Sequence, residues 1–316
     1  MRIFYASDIH GSDRCWRKFL NAAKFYSADA LVLGADLAGK AIVPLVEHSG
    51  GEVRATFLGS EHVLASADEV AALEQRIADT GYYSHRCTVE EERALRDDPD
   101  ALHDLFVRRI LERLEAWMAL ADERLNGGGV PCYVNAGNDD PPEVDAVIEA
   151  SGTVEFLEGR VLRMPNGMEL ASCGYANLTP WNCPRDVPEE ELGERLEALV
   201  SQVEDPEWSL FNFHCPPYDS QIDQGPRLDE QLRMRQTAGG VEMHPVGSTS
   251  CRRVIERLQP VMGLHGHLHE SRGTVKIGRT TCVNPGSEYT EGVLRGALID
   301  LHDRKRKVRN CVLTTG

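Results

Sequence analysis

Residues 2–11 read RIFYASDIHG, an apolar run that ends abruptly in polar residues. The apolar part, residues 2–6, has the length and composition of a buried strand. Asp8 and His10 follow it two positions apart, and side chains at this spacing in an extended chain point the same way. The fold can be predicted from this unit, a strand that brings a carboxylate and an imidazole to one place.

The same unit recurs along the chain. Further strands are predicted at Ala30–Leu33, Val53–Leu58, Pro131–Asn135, Leu210–Phe213 and Val261–Leu264. Helical patterns lie between several of them, one from a Ser12 cap to about Lys24 and another over Val246–Leu258. This alternation predicts an α/β sheet core, and the region from Gly273 to Val312 is expected to be rich in strands.

Residues with metal-binding side chains follow the predicted strands. These are Asp8, His10, Asp36, Asn138, His214, His267 and His269. Because the carboxyl ends of parallel strands share one edge of a sheet, the side chains are expected to converge. Imidazole, carboxylate and amide groups in this number exceed the needs of one ion. They favour two divalent ions that share a bridging carboxylate.

The order of these motifs, D-x-H, G-x-D, G-N-x-D, H and G-H-x-H, resembles that of the calcineurin-like metallophosphoesterases. Residues Asn284–Ser287 also resemble the turn after the last histidine motif in bacterial and archaeal members. The motifs extend from Asp8 to His269, so the resemblance covers most of the chain. It implies a two-sheet α/β-β/α metallophosphoesterase sandwich, here with a helical insertion.

The resemblance also implies two sets of metal ligands with one residue shared between them. The first set is Asp8, His10 and His269, the second is Asn138, His214 and His267, and the bridging residue is Asp36. Manganese is the expected metal, and the same donors accept iron, nickel or zinc. The usual G-D motif is changed to Gly34-Ala35-Asp36, which is expected only to reshape the turn.

A second departure affects the chemistry. The family's G-N-H-[DE] becomes Gly137-Asn138-Asp139-Asp140, so the histidine that can protonate a leaving group is absent. We expect Asp36, Asn138 and Asp139 to be catalytic, with the general acid left open. An ionised Asp139 would repel a monoester dianion more than a diester monoanion. Alternatively, Asp139 points away and only tightens the turn.

Residues 61–129 are predicted to form a helical cap within a single domain, 1–316. Capping-box spacing starts two helices, at Ser66 and at Thr88, and Asp98 followed by proline starts a third. We expect Leu64–Leu125 to lie outside the central sheets and to border the active-site cleft.

Composition limits the partners. The 316 residues carry a formal net charge of −16, which disfavours long nucleic acid and anionic membrane surfaces. The 9 cysteines form no C-x-x-C pair, and no run is long and apolar enough for a signal peptide or a membrane helix. A cytoplasmic protein with a small-molecule phosphoester or nucleotide substrate is expected, and a homo-oligomer is left open.

The predicted function is two-metal phosphoester hydrolysis, by a metal-bridging hydroxide, of a phosphodiester in a small molecule or nucleotide. The alternatives are a nuclease of the same fold and a non-catalytic, metal-binding scaffold for protein interactions. The scaffold is disfavoured because every ligand position is filled.

Several further residues have two interpretations each. His265 is expected to be a core residue or a support for a ligand, and Cys215 a packing residue more than a nucleophile. A loop of residues 174–184 either contacts substrate or only packs, through Asn177, Trp181 and Asn182. One arginine near the histidine motifs is a candidate to bind phosphate, among Arg227, Arg233, Arg235 and Arg272.

Overall fold

The computed structural model describes residues 1–316. In chain order, the strands are β1 (Arg2–Ala6), β2 (Ala30–Leu33), β3 (Ile42–Glu47), β4 (Val53–Phe57), β5 (Ser60–Leu64), β6 (Tyr83–Thr88), β7 (Cys132–Val134), β8 (Val154–Phe156), β9 (Val161–Arg163), β10 (Glu169–Cys173), β11 (Ala176–Asn177), β12 (Asp186–Val187), β13 (Ser209–Phe213), β14 (Gln224–Pro226), β15 (Gln236–Thr237), β16 (Gly240–Val241), β17 (Met243–Pro245), β18 (Met262–Leu264), β19 (Gly273–Ile277), β20 (Thr280–Asn284), β21 (Arg295–His302) and β22 (Lys307–Thr315). The α-helices are α1 (Asp13–Phe25), α2 (Ala67–Asp79), α3 (Val89–Asp97), α4 (Pro99–Leu125), α5 (Val144–Glu149), α6 (Glu189–Val200) and α7 (Thr249–Leu258).

Two six-stranded sheets form the centre of the molecule. The first has the order β22-β21-β1-β2-β7-β8, in which β1, β2, β7 and β8 are parallel. The second has the order β19-β20-β18-β13-β10-β9, in which β20, β18, β13 and β10 are parallel. In both sheets, antiparallel strands lie outside the parallel ones.

Alternation along the strands explains why the sheets pack face to face. Ile3 and Tyr5 of β1 point into the core between the sheets, where they join Leu210 of the second sheet. Phe4 and Ala6 point to the opposite face and pack on helices α1, α4 and α5. Helices α6 and α7 cover the outer face of the second sheet. The predicted two-sheet α/β sandwich is therefore confirmed, with four layers in the order helix, sheet, sheet, helix.

The helix starts follow from side-chain caps. Ser12 accepts a hydrogen bond from the backbone N–H of Cys15 at the start of α1, as predicted. The predicted capping boxes are formed at Ser66 and Thr88. Helix α7 begins at Thr249, later than predicted, because Ser248 is its cap and the residues before it form β17 and a turn. No helix combines the length and the apolar character that a membrane span requires.

The segment 61–129 is not entirely helical, which corrects the sequence interpretation. It contains α2, α3 and α4, but β6 lies between the first two of these and pairs in parallel with β3. Strands β5, β4, β3 and β6 form a separate four-stranded sheet with its own small core around Leu45, Phe57 and Leu73. Helix α4 packs on the main core, where the rings of Trp117 and Trp16 stack 5.1 Å apart.

Candidate metal centre

The loops after β1, β2, β7, β13 and β18 meet where the two sheets face each other, and hydrogen bonds between backbones hold them there. Asp8 N donates to Ala35 O at 3.0 Å, and His10 N donates to Asp36 O at 3.1 Å. In the second sheet, Gly266 N donates to His214 O at 3.0 Å. The structure brings together all the residues predicted as ligands, namely Asp8, His10, Asp36, Asn138, His214, His267 and His269.

The backbone is strained at this edge. Four of the non-glycine residues with positive φ belong to the cluster: Asp8 at 58°, His10 at 37°, Asp36 at 54° and His267 at 67°. Such conformations cost roughly 1–3 kcal/mol each and tend to cluster at functional sites. The strained backbone therefore lowers local stability at the cluster while it holds these side chains in position.

The first group of side chains consists of Asp8, His10 and His269, whose ligand atoms lie within 4.8 Å of one another. The Nε2 atoms of His10 and His269 are 3.0 Å apart, and His269 Nε2 lies 3.4 Å from Asp8 Oδ1. The other ring nitrogen of His10, Nδ1, lies 3.2 Å from Ala38 O. A proton on Nδ1 would be donated to that carbonyl, which leaves the Nε2 lone pair free for a cation.

The second group consists of Asp36, Asn138, His214 and His267. Asn138 Oδ1 lies 3.0 Å from both His214 Nε2 and His267 Nδ1. His214 Nε2 also lies 3.2 Å from Asp36 Oδ2, and that same oxygen is 3.7 Å from His10 Nε2. One carboxylate oxygen of Asp36 thus faces both groups.

Asp186 fixes the orientation of Asn138, a role that the sequence analysis missed. Asn138 Nδ2 donates to Asp186 Oδ1 at 2.9 Å, so the amide oxygen is turned towards the histidines. The two residues are 48 positions apart in the chain, and no motif joins them. Their contact becomes visible only once β12 is placed beside the β7 loop.

Charge in the cluster favours a bound cation. Burial opposes ionisation of Asp8, but a hydrogen bond from His269 and the charge of His214 lower its pKa to about 2. Burial likewise opposes a charge on His214, yet Asp36 raises the pKa of this histidine to about 9. Burial lowers the pKa of His267 to about 4. The ionised carboxylates and the neutral imidazole of His267 are donor states that divalent metals bind, whereas a metal ion at His214 would have to displace the proton of this histidine.

Asp139 lies at the rim of the cluster and is paired with a lysine. Its carboxylate forms an ion pair with Lys40, and its Oδ2 is 3.8 Å from His10 Nδ1. Its backbone N–H donates to Asp36 Oδ1 at 3.1 Å. A carboxylate oxygen of Asp139 lies within 4.8 Å of ligand atoms of His10 and Asp36, and its role towards a substrate stays a prediction. Lys40 was not predicted from the sequence, although it lies only four positions after Asp36.

Asp140 holds the turn beneath the cluster. Its carboxylate accepts hydrogen bonds from the backbone N–H groups of Gly137 at 2.7 Å, Leu37 at 3.0 Å and Ala38 at 2.6 Å. A side chain at Gly137 would collide with the Asp36 carboxylate. The last position of the G-N-D-D motif is therefore structural, and its glycine is required for close approach.

The remaining residues singled out from the sequence lie outside the cluster. His265 is buried with Nδ1 2.7 Å from Phe213 O, consistent with a core or supporting role. Burial raises the pKa of the Cys215 thiol, which donates to Asn177 Oδ1 at 2.8 Å, as expected of a packing residue. Three of the four arginine side chains have partners: Arg227 pairs with Glu242, Arg233 with Asp229, and Arg272 donates to Thr314 O. Arg235 is bonded to Arg227 and Glu242 through its backbone alone.

Comparison with curated proteins finds a partial relative. No family model matches the chain. The uncharacterized protein MJ1162 of Methanocaldococcus jannaschii is 30% identical over 151 residues, which cover 47% of this chain and 61% of that protein. The match thus spans less than two thirds of the length of this curated relative.

Solved structures resemble the whole chain. TT1561 of Thermus thermophilus has a TM-score of 0.52 and 16% identity, covering 100% of this chain and 97% of its own. A phosphatase from Mycoplasma pneumoniae is more distant, with a TM-score of 0.44 and 10% identity over 100% and 93% of the two chains. The likeness to TT1561 shows a shared fold, and the activity has to be argued from the site.

Proposed function

We propose that this protein is a metal-dependent phosphoesterase that holds two divalent ions. The observation that carries the proposal is the position of Asp36. Its Oδ2 lies 3.2 Å from His214 Nε2 and 3.7 Å from His10 Nε2, between the two groups of side chains. A carboxylate so placed can serve two ions at once.

The donors suit divalent ions of intermediate softness. Nδ1 of His10 is hydrogen-bonded to Ala38 O, and the amide nitrogen of Asn138 is hydrogen-bonded to Asp186. The other polar atom of each residue, Nε2 of His10 and Oδ1 of Asn138, is therefore turned towards the cluster as a metal ligand. Nitrogen and oxygen donors without a thiolate suit manganese, iron, nickel or zinc. Asp8, His10 and His269 would hold one ion, Asn138, His214 and His267 the other, and Asp36 both.

Bound ions of this kind stabilise charge on a phosphoryl group and lower the pKa of a water molecule. The contribution of the chain is positioning, which dominates catalysis of phosphoryl transfer. Buried loops fix the donors, and Asp186 and Ala38 fix their orientation. The Lys40 side chain is about two-fifths exposed at the rim, where its ammonium group can approach a phosphate oxygen.

The proposed substrate is a phosphodiester of a small molecule or nucleotide. An unpaired Asp139 would repel a monoester dianion strongly, but Lys40 offsets much of that charge. We therefore propose a diester preference of modest size. The net charge of −16 disfavours long nucleic acid as the substrate.

The test is hydrolysis of bis(4-nitrophenyl) phosphate by protein freed of metal and then loaded with manganese. We expect activity only with metal. Asp36→Ala should lose more activity than Asp8→Ala, because a bridging ligand serves both ions. The loss should exceed the roughly 10–100-fold typical of residues that only support a ligand.

Asp300→Ala is the matched control, because this carboxylate pairs with Arg2 far along the first sheet and should leave activity unchanged. Near-normal turnover of Asp36→Ala at saturating manganese would show that Asp36 does not bridge. Absence of hydrolysis by the wild type with manganese, iron, nickel and zinc would contradict the phosphoesterase proposal itself.

A further inference from the structure

A cavity of about 670 Å³ opens directly beside the candidate metal centre. His267 contributes to both, because its ring belongs to the cluster and also lines the cavity. The other walls come from the loop that carries Trp181 and from the segments around Tyr218, Arg227 and His244. Volumes of roughly 300–1,000 Å³ are typical of pockets for small molecules. A substrate bound at the metals could therefore place one of its ester groups here.

The cavity walls expose aromatic and apolar side chains that nothing in the chain covers. Trp181 is 64% exposed, Leu178 58% and Tyr218 40%. A flat apolar group that covers such a water-exposed aromatic side chain lowers the free energy of the complex. This lining favours a planar ring over a sugar or an alkyl chain without a ring.

The loop that carries Trp181 is fixed, and it is fixed by the residue that orients Asn138. Asp186 Oδ2 accepts hydrogen bonds from Thr179 N at 3.1 Å and from Cys183 N at 3.0 Å. Trp181 N donates in turn to Thr179 Oγ1 at 3.3 Å. Because the other Asp186 oxygen binds Asn138, one carboxylate holds both the aromatic wall and a proposed metal ligand in place.

The polar groups of the cavity suit a neutral ring with hydrogen-bonding edges. His244 lines the cavity, and its buried Nδ1 has no hydrogen-bond partner within the chain. The Arg227 guanidinium is paired with Glu242 at 3.0 Å, which leaves little free positive charge for a second phosphate. Asn177 is already used, because its Nδ2 donates to Val246 O at 3.2 Å.

We propose that this cavity binds a nucleobase, with Trp181 as the stacking surface, so that the substrates are nucleotide esters. The proposal rests on the proposed function for the phosphate and adds the base as the second recognition element. Stacking of a base on an aromatic side chain is sufficient for about a tenfold gain in affinity.

The experiment is calorimetric binding to manganese-loaded protein, which does not depend on turnover. Adenosine 5′-monophosphate is compared with ribose 5-phosphate, which lacks the base, and with adenosine, which lacks the phosphate. We expect the nucleotide to bind about tenfold more tightly than ribose 5-phosphate. Trp181→Ala should remove this difference and leave ribose 5-phosphate binding unchanged.

Phe25→Ala is the matched control, since this ring is 79% exposed on α1, away from the cavity walls. It should preserve the tenfold difference. Equal affinity of the wild type for the nucleotide and ribose 5-phosphate would overturn the proposal. So would a Trp181→Ala variant whose affinities for the nucleotide and for ribose 5-phosphate fall by the same factor. If adenosine binds the wild type more tightly than Trp181→Ala while ribose 5-phosphate does not bind at all, the base site stands without binding of a monoester phosphate at the metals, and hydrolysis of bis(4-nitrophenyl) phosphate decides the proposed function.

Discussion

The ion pair between Lys40 and Asp139 sets the charge at the rim of the candidate metal centre. Asp139 Oδ2 is only 3.8 Å from His10 Nδ1, so any change in its charge acts directly on the site. With the lysine present, the two opposite charges largely cancel at the distance of a bound phosphate. Without it, the carboxylate would face the phosphate alone.

Lys40→Met should therefore reduce hydrolysis of an aryl monoester more than that of the matching aryl diester. The diester carries one negative charge and the monoester dianion two, so the unpaired carboxylate repels the monoester more. After allowance for solvent screening, we expect the ratio of kcat/KM values to change roughly tenfold.

The double variant Lys40→Met with Asp139→Asn should restore the ratio, because it removes both charges. Lys24→Met, in the last turn of α1, is the control for loss of a lysine elsewhere. A ratio that stays the same in Lys40→Met would show that this pair does not act on the bound phosphate.

Individual residues were predictable from the sequence only where a motif carried them. The ligand candidates follow strands in a recognisable order, and the structure brings them together. Lys40 and Asp186 have no such signal, because their partners are 99 and 48 positions away. Their roles arise from contacts between loops, which depend on the order of strands in the sheet.

At the level of elements, Glu158 connects the two central sheets. It follows β8 of the first sheet, and its Oε2 accepts a hydrogen bond from Gly174 N, just after β10 of the second, at 2.5 Å. Burial raises the pKa of Glu158 to about 7, although this hydrogen bond and the charge of Arg185 oppose the rise. The carboxyl group is thus protonated in the folded protein at pH values where the unfolded chain is ionised.

This shift predicts a loss of stability as the pH rises. Between the unfolded pKa of 4.5 and the folded pKa of about 7, the folded state holds the extra proton, so the free energy of unfolding falls with increasing pH. The shift corresponds to about 3 kcal/mol. Above the folded pKa the contribution is lost and the curve becomes flat.

Glu158→Gln should remove this dependence, because glutamine cannot ionise but can still accept the hydrogen bond from Gly174. We expect urea unfolding at pH 5 and pH 8 to show that the wild type loses about 2.5 kcal/mol relative to the variant. The contributions of other titrating groups to the free energy of unfolding are the same in both proteins and cancel in the difference. Parallel pH profiles would contradict a raised pKa at this position.

The four-stranded sheet of β3 to β6 shows where prediction of elements failed. Strand β6 is Tyr83–Thr88, a short run with charged and polar residues between two strong helix signals. Its partner strand, β3, lies far away in the sequence, so the pairing produces no local sequence pattern. The capped helices α2, α3 and α4 were predictable because caps and helical periodicity are local.

For the whole molecule, the sandwich of two sheets explains why ligands from distant segments meet. The parallel strands of both sheets end at the same edge, so loops from residue 8 to residue 269 contribute to one cluster. The α/β class was predictable from alternation along the chain. The order of the strands was not, because it is set by packing of faces such as Ile3 and Tyr5 against Leu210.

We propose that one cluster holds two ions with Asp36 between them. The most direct measurement is a crystal structure of manganese-loaded protein with anomalous scattering recorded at the manganese edge. We predict two peaks about 3.5–4 Å apart, with Asp36 in contact with both. The predicted ligands are Asp8, His10, Asp36, Asn138, His214, His267 and His269. A single peak, or fewer than five of these residues within coordination distance, would contradict the account.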